Sequence, residues 1–467
     1  MSVAARSFQY LSASVSQGIF GVISLLVVLP ALSNSDLGYV AALETLAYLF
    51  STLIGFNLDR VASRFYFLKD ESLYIQKLYA TLNYFVLITI VAGVCGVIVF
   101  QNFISQIFPE LSFMPLIILM LVKTSIDIYL KVEAAFLVAS SQSEIHSKST
   151  ILSGFTGIIL SSIFVIIFQL GVLGFVVAQV IASFVRLIYL ITVSMSGRSP
   201  RVFDIAILKS SLSYAWPFFP TLVFAWIISY YDRILINQFL GIESLGIYTL
   251  SLKLAGTLLL VTGSLVSAIY PIFYAVYDKV ESKRDIDVGI NFSSALIVIL
   301  FFSALSLLTI GSLLFEFLIG PRVEAPLTYF GFLVLNYWIG AVGFIATESL
   351  MRARATTLNM VLSFFLAMVA IGLNYLLIPF LGISGAIVSG FITYALGFLL
   401  QLYAARQFVT VPFCWGTYVR ALSIIVVGAC ILMIQPGWYF KVGLFIAGLV
   451  LMWTKLQMAI IFFKKFG

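Results

Sequence analysis

The sequence predicts an all-α integral membrane protein of about fourteen transmembrane helices, arranged as two six-helix bundles in parallel repeat plus two C-terminal helices. Three observations lead there. The composition is that of a chain solvated by lipid. Apolar runs alternate with short loops whose basic residues fall on one side. An internal repeat recurs at an offset of 208 to 211 residues.

Of the 467 residues 62% are hydrophobic and 10% charged, and the mean hydropathy is +1.13. A soluble domain carries roughly 25% charged residues, and a spanning helix needs ~20 apolar ones. The length therefore holds about fourteen spans and no sizeable soluble domain. The net charge of +7 is not a nucleic-acid footprint, because the basic residues sit singly beside span ends. Cys95, Cys414 and Cys430 are scattered among apolar neighbours and read as small core residues. His146 is the only histidine, which excludes a histidine-based metal site or triad. The first apolar run lacks a secretory cleavage pattern and is expected to remain as the first helix.

Apolar runs place spans near 8–31, 38–58, 77–100, 112–139, 148–169, 174–195, 212–238, 245–273, 289–318, 326–349, 357–379, 383–405, 417–435 and 438–462. With the N-terminus inside, one side collects eighteen basic residues, among them Arg6, Arg60, Arg64, Lys69, Lys148, Arg198, Arg201, Lys279 and Lys465. The other collects two, Arg322 and Lys441. The positive-inside rule puts both termini in the cytoplasm.

The domains expected are 1–196 for the first six-helix bundle, 197–211 for a cytoplasmic amphipathic connection, 212–405 for the second bundle and 406–467 for helices 13 and 14. The connection mixes charge with Val202, Phe203, Ile205, Ile207 and Leu208, as a segment lying on a membrane surface does. The repeat supports this division. Leu32–Gly38 and Leu240–Gly246 share an L-x4-L-G spacing, and Leu170-Gly171-Val172-Leu173-Gly174 matches Leu381-Gly382-Ile383-Ser384-Gly385. Six spans separate the copies, so both halves insert with one orientation, and a parallel repeat places the substrate between halves.

Several segments carry a family resemblance. They are Ser35-Asp36-Leu37-Gly38-Tyr39, Gly55-Phe56-Asn57-Leu58-Asp59-Arg60 and Arg64-Phe65-Tyr66; then Tyr231-Asp232-Arg233-Ile234-Leu235-Ile236, Leu245-Gly246-Ile247-Tyr248, Lys253 and Pro271; and finally Asn374-Tyr375-Leu376-Leu377-Ile378-Pro379 with Gly382-Ile383-Ser384-Gly385-Ala386. Together they resemble the polysaccharide-translocase branch of the multidrug/oligosaccharidyl-lipid/polysaccharide exporter (MOP) superfamily, typified by O-antigen flippases. The resemblance implies two bundles rocking about a cleft lined by spans 1, 2, 7 and 8. It also implies a bacterial inner membrane and a cargo of undecaprenyl-diphosphate-linked oligosaccharide, flipped to the periplasmic leaflet for surface polysaccharide such as the O-antigen of lipopolysaccharide. Spans 13 and 14 would flank a groove for the lipid tail. Partners implied are the lipid-linked substrate, membrane lipids, a polysaccharide polymerase and a chain-length regulator. No cofactor is expected beyond a proton or sodium gradient or the membrane potential.

Six basic residues lie within spans: Lys123, Lys131, Arg186, Arg233, Lys253 and Lys455. Each costs ~2.5–3.5 kcal/mol at a helix centre on insertion scales, so each is expected to face protein, water or substrate. Lys455 lies near an end and is expected to snorkel. Lys123, Asp127 and Lys131 recur at i, i+4 and i+8 on one helix face. They form either a packing ladder or a cationic lining for a diphosphate or acidic sugar, with Glu133 round the cylinder and in reach of Arg186. The candidate cavity residues are thus Lys123, Asp127, Lys131, Arg186, Arg233 and Lys253. Glu44, Asp232, Arg233 and Lys253 all fall in the outer third of their spans, Glu44 lying ~9 Å below the surface at 1.5 Å per residue. They are the candidate gate, with Glu44 pairing Arg233 or Lys253, or else Asp232 and Arg233 merely orient span 7. The run Tyr214-Ala215-Trp216-Pro217-Phe218-Phe219-Pro220 at the start of span 7 is either a loosened, bending helix or an interfacial anchor and entry turn.

No GxxxxGK[ST] loop is present, so the chain itself is not an ATPase. A membrane glycosyltransferase or polymerase would need paired carboxylates or a large outer loop, and neither appears. A cation-coupled multidrug exporter is the nearer alternative, but it would be expected to carry a carboxylate in span 1. Residues 8–31 hold Gln9, Ser12, Ser14, Ser16, Gln17 and Ser24 instead.

Overall fold

The computed structural model describes residues 18–464 apart from 19, 25, 69–71, 112, 194–201, 278–282, 321–323 and 435–436. The first part of span 8–31 lies outside the described residues, with Gln9, Ser12, Ser14, Ser16 and Gln17. So do Arg6, Lys69, Arg198, Arg201, Lys279, Arg322, Lys465 and the start of the 197–211 connection. Among the described residues every regular element is a helix. A backbone surrounded by hydrocarbon has no water to bond to, and a helix satisfies its own donors and acceptors.

Twelve helices among the described residues are long and apolar enough to cross a membrane. A further helix of 22 residues, Ile118–Ala139, carries Lys123, Asp127, Lys131 and Glu133. Their outer faces are apolar: Leu87, Ile88, Val91 and Val99 on one span, and Phe364, Phe365, Tyr375 and Phe380 on another, are exposed. In water such a surface would aggregate; in a bilayer it is solvated. This is a multi-pass membrane protein.

By internal packing the chain divides into two compact units, Met1–Gly246 and Ile247–Gly467. The first contains α1 (Asn34–Gly55), α2 (Leu58–Phe65), α3 (Ser72–Val99), α4 (Ile118–Ala139), α5 (Ser143–Ser161), α6 (Gly171–Val193), α7 (Ile205–Ala215) and α8 (Phe219–Leu240). Helix α4 sits at its centre, packed by α1, α2, α3, α5 and α6. Helix α1 starts at a reciprocal cap. Asp36 N donates to Ser33 Oγ and Ser33 N to Asp36 Oδ2, both at 3.0 Å. It ends where Phe56 and Asn57 turn left-handed, with φ of 45° and 57°. Asp204 caps α7 by accepting from Ala206 N at 3.0 Å and Ile207 N at 3.2 Å. Of the two readings of the double-proline run, the structure shows the interrupted helix: α7 passes through a 3-10 turn at Trp216–Phe218 into α8.

Helix α9 (Ile242–Tyr277) begins in the first unit and continues into the second. The second unit adds α10 (Lys283–Ser306), α11 (Ser312–Ile319), α12 (Glu324–Val342), α13 (Phe344–Arg352), α14 (Thr356–Leu381), α15 (Ile383–Arg406), α16 (Trp415–Met433) and α17 (Trp438–Lys464). Helix α10 is its core, burying Phe292, Leu296, Ile297, Val298, Leu300 and Phe301 against α12, α16 and α17. Lys441, counted on the outer side at the start of the 438–462 span, is 1% exposed and ion-paired with Glu316 of α11. A span-end position on sequence is here a buried staple between two helices.

The repeat has a structural counterpart. Gly171 and Gly382, one repeat apart, both adopt positive φ, 54° and 60°. A Cβ on Gly38 would strike the Ile242 carbonyl, and one on Gly246 would strike the Asn34 carbonyl. The first turn of α1 and the first turn of α9 therefore interlock through positions offset by 208 residues. Ser35 Oγ lies 3.5 Å from Glu243 Oε1 in the same contact.

Candidate functional site

A cavity of about 260 Å³ opens inside the first unit between α1, α4 and α6. Helix α1 contributes Glu44, Ala47, Tyr48 and Ser51, and α4 contributes Met120, Lys123, Thr124, Asp127 and Lys131. Both sets follow i, i+3, i+4, i+7 spacing, so each is one face of its helix. Helix α6 closes the wall with Phe175, Val176 and Gln179.

The charges in this wall are in three states. Lys123 Nζ donates to Asp127 Oδ2 at 2.6 Å, and Ser183 Oγ donates to Asp127 Oδ1 at 2.9 Å, so that pair is closed. Lys131 Nζ donates to the neutral Ser51 hydroxyl at 2.9 Å. Among the described residues no carboxylate lies within ion-pair distance of Lys131, which is exposed to the cavity. Glu44 stands on the α1 wall, with its charge reaching Lys123.

Behind Tyr48 is an aromatic column. Tyr48 stacks on Tyr230 of α8 at 4.7 Å and 29°, and Tyr230 lies 6.4 Å from Trp226 at 15°. Trp226 Nε1 donates to the Thr45 carbonyl at 3.2 Å, which ties the column to α1. Arg233 sits over the Tyr230 ring at 4.2 Å and donates from Nη1 to the Ser229 carbonyl at 2.9 Å.

The predicted cavity residues thus separate. Lys123, Asp127 and Lys131 line the cavity, and Glu44, expected at a gate, lines it with them. Arg186 is half-buried on α6, and the carboxylate whose field reaches it is Asp127. Glu133 does not meet Arg186. It is 0% exposed, accepts from Asn83 Nδ2 at 3.1 Å and faces the phenols of Tyr79 and Tyr129. The reason is rotation: Glu133 lies two residues beyond Lys131, on the α3 side of α4. Of the gate set, Asp232 accepts from Arg233 N at 2.8 Å, and Tyr230 lies within electrostatic reach of both Arg233 and Glu44. Lys253 lies on α9 in the second unit, half-buried. Lys455 lies on α17, also half-buried.

Tyr48, Ser51, Gln179, Tyr230 and Trp226 were not among the predicted residues. Projecting Glu44 by one and two helical turns would have found Tyr48 and Ser51. No signal in sequence pairs Tyr48 with Tyr230, because that contact is set by the packing of α1 on α8.

Arrangements of this kind occur in proteins of known structure. An inward-facing multidrug resistance MATE family transporter of the MOP superfamily aligns with a TM-score of 0.61 at 14% identity, over 84% of this chain and 94% of that one. The lipid II flippase MurJ in an inward closed conformation aligns with a TM-score of 0.60 at 16% identity, over 97% and 99%. A Vibrio cholerae MATE transporter, VcmN, aligns at 0.53 and 14%, over 86% and 95%. At these identities the likeness is one of fold. No curated protein matches the sequence significantly. Residues 31–322 match the family described as polysaccharide biosynthesis protein, and the match spans more than half of the chain. The protein belongs to that polysaccharide biosynthesis family.

Proposed function

We propose that this protein flips an undecaprenyl-diphosphate-linked oligosaccharide from the cytoplasmic to the periplasmic leaflet of a bacterial inner membrane, with both termini cytoplasmic, in the making of an O-antigen-like surface polysaccharide. The observation that carries the reading is Lys131: a cation in a cavity among membrane-spanning helices, held by a serine hydroxyl and in no ion pair among the described residues. A cation so placed costs free energy unless water or an anion meets it. A diphosphate is such an anion, and the free face of Tyr48 beside it suits the apolar face of a sugar ring. Lys123 in the wall and Arg186 and Arg233 outside it add positive potential, while Glu44 and Asp127 limit it, so the anion is held and can leave.

The second unit supports the tail half of the reading. A cavity of about 330 Å³ there is lined by apolar groups of α12, α15 and α16, including Phe332, Leu335, Ile387, Val388, Phe391 and Val426. Its chemistry suits an isoprenoid chain. The driving force is a proton or sodium gradient or the membrane potential acting on the cargo's charge, and a polymerase with its chain-length regulator would consume the product.

Cation-coupled drug export is the second reading, favoured by one observation: two carboxylates, Glu44 and Asp127, line the same cavity. Purified protein in liposomes, given a fluorescent undecaprenyl-diphosphate oligosaccharide, distinguishes the two. Translocation of this lipid, with no proton- or sodium-driven uptake of lipophilic cations, is the expected result. Cation uptake without lipid translocation would replace the flippase with the exporter.

A further inference from the structure

Helix α2 and the α7 segment meet in two rungs. The Arg60 guanidinium lies 6.0 Å from the centroid of Phe218, and that of Arg64 lies 4.8 Å from Tyr214. Arg64 Nη1 also approaches the Tyr214 hydroxyl at 3.4 Å. Numbers rise on one side as they fall on the other, so the segments run antiparallel. Each partner is one helical turn from the next, which puts both guanidinium groups on one face. The corner is braced from behind. Phe56 stacks on Phe219 at 5.0 Å, and Trp216 stacks on the same ring at 6.0 Å. Phe56 and Asn57 hold left-handed backbone, which Asn adopts readily and a bulky Phe rarely does.

Both arginines are exposed, and among the described residues neither has a carboxylate within ion-pair distance. The nearest capping carboxylate on the partner segment, Asp204, is engaged by Lys77 at 3.7 Å. Asp59 lies one residue from Arg60, round the helix from the shared face. A ring takes the flat face of a guanidinium and leaves N–H edges for an anion, although at Arg64 one Nη1 N–H is engaged by the Tyr214 hydroxyl. Two ring-held forks, one turn apart and lacking carboxylates, form a receptor for adjacent tetrahedral anions.

We propose that Arg60 and Arg64 form a phosphate-ester docking site at the α2–α7 corner, outside the cavity, that takes a diphosphate with one guanidinium to each phosphoryl group. The corner lies at the end of α1 opposite the Ser33 cap, the end where the basic loop residues place the cytoplasm. Diphosphate chemistry reaches it from the cargo headgroup, and single phosphate esters reach it from anionic lipids.

Ser63, exposed on α2 between the two arginines, is the reporter position. Full-length protein with Cys95, Cys414 and Cys430 changed to serine and Ser63→Cys is placed in phosphatidylcholine nanodiscs, and its maleimide labelling is timed with inorganic pyrophosphate present. Pyrophosphate should slow labelling, and Arg60→Gln or Arg64→Gln should raise the half-protecting concentration about tenfold, as loss of a charge-assisted hydrogen bond does. Arg64→Lys should recover only part of this, since the fork is lost while the charge stays. Phosphatidylglycerol nanodiscs separate the sources. Pyrophosphate protection unchanged by the lipid assigns the site to a diphosphate cargo. Protection by the lipid alone assigns it to membrane headgroups and overturns the diphosphate assignment. No protection by either, or protection that survives both glutamine variants, overturns the site itself. Lys131→Ala should leave protection intact even where it stops translocation, so failure of the cavity reading and failure of this one are separable.

Discussion

The interiors of the two units are built from a repeated helical pattern but differ in chemistry. The first encloses a charged cavity on α1, α4 and α6, with Glu44, Lys123, Asp127 and Lys131 in its wall. The second encloses an apolar cavity on α12, α15 and α16, in which Asn336 is one of the few polar contributors. One cavity is suited to a hydrated anion and the other to hydrocarbon, which are the two ends of a lipid-linked sugar. A duplicated bundle can therefore specialise by changing a single helix face. In α4 that face is polar at every turn from Lys123 to Lys131, whereas α12, one repeat further on, presents Thr328, Tyr329, Phe332, Leu335 and Asn336 to its cavity.

The comparison breaks most sharply at Glu133. It is fully buried and bonded to Asn83 and the Tyr79 phenol, so Glu133→Ala strands both groups at once. A loss of about 3 kcal/mol or more is expected from that many unmade bonds, read as a lower thermal midpoint in detergent. A comparable feature of the second unit is the Lys441–Glu316 pair. Glu316→Leu leaves a buried ammonium and should cost about 2–3 kcal/mol, less than a wholly buried pair because Glu316 is partly exposed. Adding Lys441→Met should restore most of the midpoint; no recovery would mean that the pair is not the staple. At the interlocked turns, Gly38→Ala or Gly246→Ala forces a Cβ onto a carbonyl and should cost about 1–3 kcal/mol. The smallest effect belongs to the apolar cavity. Asn336 Nδ2 donates to the Ile387 carbonyl at 3.0 Å, and Asn336→Leu should shift stability by about 1 kcal/mol or less.

Much of the fold is legible in the sequence because hydrocarbon leaves a chain few options. Apolar runs locate span after span within a few residues, 383–405 against the observed Ile383–Arg406 being typical. The proline pair at 217 and 220 marks the break before α8, since neither residue can donate to the preceding turn. The site was half legible. Helical periodicity gathers Lys123, Asp127 and Lys131 on one face, but it cannot say which neighbour that face meets. The partner of Glu133 proved to be Asn83, and Lys441 proved to be buried, because rotation about a helix axis and depth at its end are set by tertiary packing. Aromatic residues were harder still. With 43 Phe and 23 Tyr in the chain, nothing local distinguishes Tyr48 and Tyr230 from lipid-facing rings.

Lys131, held by Ser51 and in no ion pair among the described residues, is the cation proposed to handle the cargo's anionic headgroup. The most direct measurement of that role is the translocation rate of a fluorescent undecaprenyl-diphosphate oligosaccharide in liposomes carrying Lys131→Ala, beside Lys131→Arg and wild type. Each preparation is matched for folded protein by its thermal midpoint. The account predicts a fall of about tenfold or more for Lys131→Ala, the scale of one charge-assisted contact, with most of the rate retained by Lys131→Arg. A wild-type rate in Lys131→Ala, at an unchanged midpoint, would contradict it.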